Sequence, residues 1–128
     1  MRIGELESLS GLSRHTLRYY EREGLLLGVE RASNGYRIYP DSAVGQMAIL
    51  KGLQSLGFGL DEIKPILTAI SNSTVNCADG ANLLARKRMS IQQQIRKLQS
   101  VNRNLLKEQR KLEKRAAKHG VTASGLDG

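Results

Sequence analysis

Residues 13–24 read Ser13-Arg14-His15-Thr16-Leu17-Arg18-Tyr19-Tyr20-Glu21-Arg22-Glu23-Gly24, a helix with both ends marked. Ser13 is an N-cap residue type, because its side-chain oxygen accepts from a first-turn N–H that has no partner within the helix. Leu17 and Tyr20 give the segment one apolar side. Gly24 suits the position just past a helix end, where the chain often turns left-handed. The spacing predicts a helix from about Arg14 to Glu23. Upstream, Ile3, Leu6 and Leu9 share one face of another short helix, and Ser10-Gly11-Leu12 is a tight connection in which Gly11 can take positive φ. Two short helices joined by a glycine turn make a helix-turn-helix. The same pattern fits any small helical hairpin, so by itself it does not establish nucleic-acid binding.

Downstream, Asn34-Gly35 is a strong hairpin signal, since a two-residue type I′ turn needs positive φ at both positions. Val29–Arg31 and Tyr36–Tyr39 suit its strands. A lone two-stranded ribbon is barely stable in water, so it must lean on the helices as a wing. Pro40-Asp41-Ser42 starts a third helix, in which Val44, Met47, Leu50 and Leu53 recur and continue into Leu56 and Phe58; Gly57 ends it. Gly45 and Gly52 each cost that helix about 1 kcal/mol relative to alanine, so packing must hold it. Leu60 to Ile70 reads as a fourth helix with Ile63, Ile66, Leu67 and Ile70 inward, and Pro65 should kink or shorten it.

Residues 71–78 read as a polar linker. From Asp79 to Lys118 the only glycine is Gly80, and there is no proline. Leu84, Ile91, Leu98, Leu105 and Leu112 recur every seven residues, beside a mixed second seam of Arg88, Ile95, Asn102 and Gln109. This is a coiled-coil pattern, in which polar Asn102 and Gln109 set register at a cost in stability. About 40 residues at 1.5 Å each span about 60 Å. A small domain cannot cover such a stripe, so the pattern implies a homodimer; spacing alone leaves parallel and antiparallel pairing open. The alternative is a single charged helix packed back on its own domain. Residues 119–128 read as a mobile tail. The expected organisation is a mainly α chain with a winged helix-turn-helix at 1–70, a linker at 71–78, a dimerisation helix at 79–118 and a tail.

The 128 residues allow one well-filled core, and aromatics at 4% make a large aromatic ligand cavity unexpected. There is one cysteine, Cys77, hence no disulfide within the chain. The first ten residues lack the apolar stretch of a secretory signal. No run approaches the roughly 18 apolar residues of a membrane span. The expected location is the cytoplasm, with no membrane partner. The net charge of +8 suggests nucleic acid, but its distribution does not follow the motifs. Residues 1–75 hold eight basic and eight acidic residues, a net of zero; residues 76–128 carry the whole excess.

Taken together, Ile3-Gly4-Glu5-Leu6, Thr16-Leu17-Arg18-Tyr19-Tyr20-Glu21, Gly24-Leu25-Leu26, Asn34-Gly35-Tyr36-Arg37-Ile38-Tyr39 and Leu56-Gly57-Phe58 resemble the MerR (mercury-resistance regulator) family over residues 2–70. The resemblance implies a winged-helix DNA-binding domain and an antiparallel coiled-coil homodimer on inverted-repeat promoter DNA. It also implies activation for RNA polymerase at promoters whose spacer between the −35 and −10 elements is too long. On that reading the second helix presents Arg14, His15, Thr16, Arg18 and Tyr19 to DNA, with Arg18 the candidate for a bidentate guanine contact. Thr16 and Tyr20 suit phosphate, as do Arg31, Tyr36 and Arg37 on the wing and Lys51 and Gln54 on the third helix. Each has a plainer reading. Tyr20 can be a core residue with a wet hydroxyl, Arg14 or Arg31 can pair with Glu21 or Glu30, and Lys51 and Gln54 can be solvated.

Metal-sensing members of the family carry a cysteine near the start of the dimer helix and two more in a C-terminal loop. Cys77 matches the first, and residues 112–128 contain no cysteine. Cys77 is therefore the effector candidate, with Asn76 or Asp79 as N-cap and a helix N-terminus that favours thiolate. It reads either as a thiol sensor, as a weak metal ligand with His119, or as a small buried gap-filler; no cofactor is required, and a metal ion stays open. An architectural DNA-binding protein without effector sensing is the competing function. No nucleophile–base–orienter set or phosphate-cradling loop points to an enzyme.

Overall fold

The computed structural model describes residues 1–121 and 124. The elements run α1 (Ile3–Ser10), α2 (Arg14–Arg22), β1 (Glu30–Arg31), β2 (Arg37–Ile38), α3 (Ser42–Ser55), α4 (Leu60–Ser71) and α5 (Cys77–His119). They divide into two compact units, Met1–Gly80 and the remainder from Ala81 onward.

The helix-turn-helix forms for local reasons. Ser13 Oγ accepts from Thr16 N at 3.2 Å and donates to Thr16 Oγ1 at 2.9 Å, which closes the first turn of α2. The Glu7 carboxylate on α1 accepts from Arg14 N at 2.9 Å and from Arg14 Nε at 3.1 Å. A negative group thus sits where the α2 dipole is positive, and one side chain joins both helices. Gly24 ends α2 at φ 76, where its N–H donates to the Glu21 carbonyl.

The wing departs from the expected two-residue turn. β1 and β2 pair antiparallel with Glu30 opposite Ile38 and Arg31 opposite Arg37. The Ala32 N–H donates to the Tyr36 carbonyl at 2.7 Å, and the Gly35 N–H to the Ala32 carbonyl at 2.9 Å. Gly35 has φ 85, while Asn34 does not have positive φ. This is a three-residue loop with a left-handed glycine at its end, not a type I′ turn. The cause is the Asn34 side chain, whose Oδ1 accepts from Tyr36 N at 3.2 Å and holds Asn34 in the ordinary half of φ space. With only two residues per strand, the wing is tied down elsewhere. Gln46 of α3 clamps Leu27 by donating to its carbonyl at 3.0 Å and accepting from its N–H at 2.7 Å. Met1 and Tyr39 also exchange two main-chain bonds.

Pro65 does not shorten α4, which runs unbroken for 12 residues. The carbonyl that loses its donor belongs to Asp61, and both Asp61 and Pro65 are exposed, so water can serve it. Buried Ile63 and Leu67 hold the helix on either side. Leu9, Leu56 and Ile70, expected to face inward, are exposed. Each lies in the last turn of its helix or just past it, where the chain leaves the core. The α5 helix starts two residues earlier than expected. Asn76 Oδ1 accepts from Asp79 N at 2.9 Å and Asp79 Oδ2 from Asn76 N at 3.1 Å, a reciprocal cap that makes Cys77 the first helical residue. The connection between α4 and α5 is therefore residues 72–76. The expected tail falls largely outside the described residues.

The core of the first unit takes residues from α1 to α4 and from three of the connections between elements: Leu6, Leu17, Tyr20, Leu25, Leu26, Tyr39, Ala43, Met47, Leu50, Phe58, Ile63 and Leu67. Among the described residues no charged or polar residue is buried with them. Gly45 and Gly52 lie on the outer side of α3, and an added Cβ at either would meet nothing within 4 Å. Gly45→Ala and Gly52→Ala are each expected to raise the unfolding free energy by about 0.5–1 kcal/mol, since only helix propensity changes; urea denaturation of each variant measures this.

Candidate nucleic-acid interface

The N-terminal end of α2 and the wing form two walls of one cleft of about 420 Å³. Arg14 and Arg18 come from α2, Gly35, Tyr36 and Arg37 from the wing, and Arg2 from the segment before α1. Four guanidiniums thus converge on one concave surface. The Arg2 guanidinium lies 4.3 Å from the centre of the exposed Tyr36 ring, a cation–π contact that links the start of the chain to the wing. Arg2 escaped the sequence reading because it lies outside every periodic segment, and only the fold brings it to Tyr36.

The cleft is held in shape by Glu21. Its carboxylate accepts from Arg37 Nε at 2.9 Å and from the Tyr39 hydroxyl at 2.8 Å. One side chain of α2 thereby fixes both ends of β2. The pairings considered from sequence, Arg14 or Arg31 with Glu21 or Glu30, are replaced by Arg14 with Glu7 and Arg37 with Glu21. Arg31 instead donates to the Gly35 carbonyl at 3.3 Å. The Glu21 site also perturbs Tyr39. Burial pushes its phenol up from 10.0 to about 12, aided by the hydrogen bond to Glu21 and that group's negative charge, while Arg37 and Arg18 pull the other way.

The remaining candidates are distributed as follows. His15 and Arg18 are exposed, and Thr16 is half-buried at the capped turn. Tyr20 is in the core, with its ring centre 5.8 Å from that of Tyr19. Tyr19 lines a second hollow with Glu23, Leu25 and Lys64, away from the cleft. Lys51 is not simply solvated. Its Nζ donates to the Ser10 carbonyl at 3.0 Å, so a cation closes the C-terminal end of α1. Gln54 is exposed on α3.

Cys77 is exposed in the single chain, which does not fit a buried gap-filler. Among the described residues no group of three or more His, Cys, Asp or Glu side chains could hold a metal ion. The one cysteine of this chain does not make the three-thiolate set that the family resemblance implies for metal sensing.

A capped helix-turn-helix whose second helix shares an arginine-rich cleft with a wing defines the class of winged helix-turn-helix DNA-binding proteins. A model described as MerR HTH family regulatory protein matches residues 1–70, and one described as MerR, DNA binding, matches residues 44–107. The mercuric resistance operon regulatory protein of Bacillus cereus is 37% identical over 105 residues, covering 82% of this chain and 80% of that protein. The transcriptional regulator HmrR of Rhizobium leguminosarum bv. viciae is 35% identical over 105 residues, covering 82% and 81%. Among solved structures, a transcription regulator from Ralstonia metallidurans in complex with lead(II) superposes with a TM-score of 0.73 at 25% identity, covering 86% of each chain. A MerR family regulator lacking the sensor domain, bound to promoter DNA, shares the fold with a TM-score of 0.55, covering 94% of each chain. The chain belongs to the MerR family of DNA-binding transcriptional regulators.

The raised Tyr39 pKa has a direct consequence. A phenol held above its unfolded value of about 10 adds stability that is complete below pH 10 and is lost as pH rises through about 12. Two units correspond to at most about 3 kcal/mol. Wild type should therefore lose more unfolding free energy between pH 10 and 12 than Tyr39→Phe, as read by denaturant melts across that range.

Proposed function

We propose that this regulator binds an inverted-repeat promoter as a homodimer in the cytoplasm and activates RNA polymerase there by distorting an over-long spacer. The observation that carries the reading is the cleft, where Arg14 and Arg18 on α2 share one surface with Arg2, Tyr36 and Arg37. An α2 placed in the major groove directs Arg18 to base edges. Arg2, Arg31, Tyr36 and Arg37 then meet phosphates on the flanking backbone. His15 and Thr16 are the further base or phosphate contacts at the same end of α2. Tyr19, Tyr20, Lys51 and Gln54 are secondary, since the first two lie outside the cleft and Lys51 already serves α1.

A homodimer is supported by the unpartnered seam of α5. Leu98, Leu105 and Leu112 are each more than 60% exposed, and Leu84, Ile91 and Ile95 are also exposed. Continuous apolar rows of this kind mark association surfaces. Asn102 and Gln109 lie in the same seam and would set its register. Cys77, exposed at the start of α5, is the residue through which a thiol-reactive or thiophilic signal would enter.

Selection of bound duplexes should return an inverted repeat, and transcription in vitro from a promoter with an over-long spacer should rise on adding the protein. Arg18→Ala should cost roughly 1–3 kcal/mol of operator binding and relax preference at one base pair per half-site. Equal operator binding by Arg18→Ala would remove α2 as the reader. Binding without any effect on transcription would leave an architectural protein instead.

The seam makes a separate prediction. Ile95→Lys combined with Leu98→Lys places like charges in the interface and should give monomers with much weaker operator binding. Sedimentation of the double variant as a dimer would show that the partner helix packs on another face.

A further inference from the structure

The charge of this chain is in an unexpected place. The unit that contains the cleft, Met1–Gly80, holds eight basic and nine acidic residues, a net of −1, and residues 81–128 hold twelve and three, a net of +9. Within that half the cations are ordered. Arg96, Arg103 and Arg110 recur every seven residues, as do Lys107 with Lys114 and Lys111 with Lys118. At about 100° per residue these seven occupy roughly 100° of the α5 surface, on the side opposite the Leu98–Leu105–Leu112 seam. All seven are exposed. Lys111 pairs with Glu108 at 3.3 Å, and the other six form no ion pair among the described residues. Arg103, Leu106, Lys107, Arg110, Lys111 and Lys114 together border a shallow groove of about 320 Å³ along the helix.

We propose that this cationic stripe on α5 is a second, sequence-independent contact surface for the phosphate backbone of duplex DNA. It goes beyond the recognition cleft and rests on the reading that the chain works on DNA. Like charges at helical neighbour positions repel and weaken the helix that carries them, so the stripe costs stability unless a polyanion meets it. From Arg96 to Lys118 the stripe is about 33 Å long, 22 steps of about 1.5 Å each. A duplex carries one charge per about 1.7 Å of axis, so a rod of cations faces a rod of anions along its whole length. An anionic membrane is a poorer match. An interfacial helix must insert an apolar face behind its cations, and here that face is the Leu98–Leu105–Leu112 seam, which a partner helix takes in the proposed homodimer. The seam behind the stripe stays available for the partner helix. Electrically, the division leaves the first unit to read bases while α5 supplies attraction to phosphate.

The test uses the full chain with the substitutions Arg103→Gln, Lys107→Gln, Arg110→Gln and Lys114→Gln together. Glutamine keeps helix propensity and removes charge. Affinity for a selected operator duplex and for a scrambled duplex is measured between 50 and 200 mM salt. Each lost phosphate contact lowers the slope of log affinity against log salt by about 0.9, so the slope should fall by about 3.6 for one engaged stripe and about 7 for two. Both duplexes should weaken while their ratio is kept. A charge-preserving exchange, Arg103→Lys with Lys107→Arg, Arg110→Lys and Lys114→Arg, should leave the slope near wild type. If the quadruple glutamine variant loses helicity, the single variants Arg103→Gln and Lys107→Gln should each lower the slope by about 0.9 instead. A slope change below about 1 in the folded quadruple variant overturns the proposal. So does an unchanged slope with reduced transcription, which would assign the stripe to an acidic protein. Failure of the recognition reading is separate, because Arg18→Ala changes the operator-to-scrambled ratio and the stripe variants do not.

Discussion

The Glu21 carboxylate joins α2 to the wing, and the shape of the arginine-lined cleft depends on that link. Two strands of two residues each cannot hold a hairpin in place. Arg37 and Tyr39 both donate to Glu21, so the strand between them is fixed against α2 at both ends. Tyr39 also has its ring in the core, which anchors this polar cluster to the apolar one. Burial of Tyr39 raises its pKa and the same carboxylate adds to the shift, while its pairing with Arg37 draws that guanidinium partly out of solvent.

A similar economy governs the ends of the helices. Each of the first two is closed by a side chain from another element. Glu7 meets the start of α2, and Lys51 meets the last turn of α1, negative at a positive helix end and positive at a negative one. Gln46 does the same for the Leu27 backbone between α2 and the wing. Residues that look like free surface polar groups in the sequence are therefore partly occupied in holding the scaffold. Among the described residues, Arg2, His15, Arg18 and Arg31 are the basic side chains of this surface with no ion pair.

The two units divide the work by physical type. The first has a filled core, a net charge of only −1 and a shaped cleft. The second is one helix with no buried residue of its own, an apolar row and a cationic row. Such a helix gains its stability only from what it packs against, whether a partner helix on one side or a polyanion on the other. Cys77 opens α5 and is exposed where these two kinds of structure meet in the chain.

Local rules made much of this legible in advance. The Ser13 cap, the Gly24 stop, the helix periodicities, the heptad row and the family motifs all depend on residues within a few positions of each other, so the sequence alone determined the element order and the class of protein. Arg18 as reader candidate follows from the same local logic. What required the tertiary structure were contacts between residues far apart in the chain. The Arg2–Tyr36 stacking, the Glu7–Arg14 and Glu21–Arg37 pairs and the Lys51–Ser10 bond each depend on how the elements pack. Even the wing turn, which looked local, was decided by an Asn34 side chain choosing the Tyr36 amide over a left-handed backbone. Pro65 is accommodated at a place where Asp61, whose carbonyl loses its donor, is exposed. Periodicity and capping act through neighbouring residues and can be read along the chain; charge pairing and solvent exposure act through space and are set only when the chain has folded.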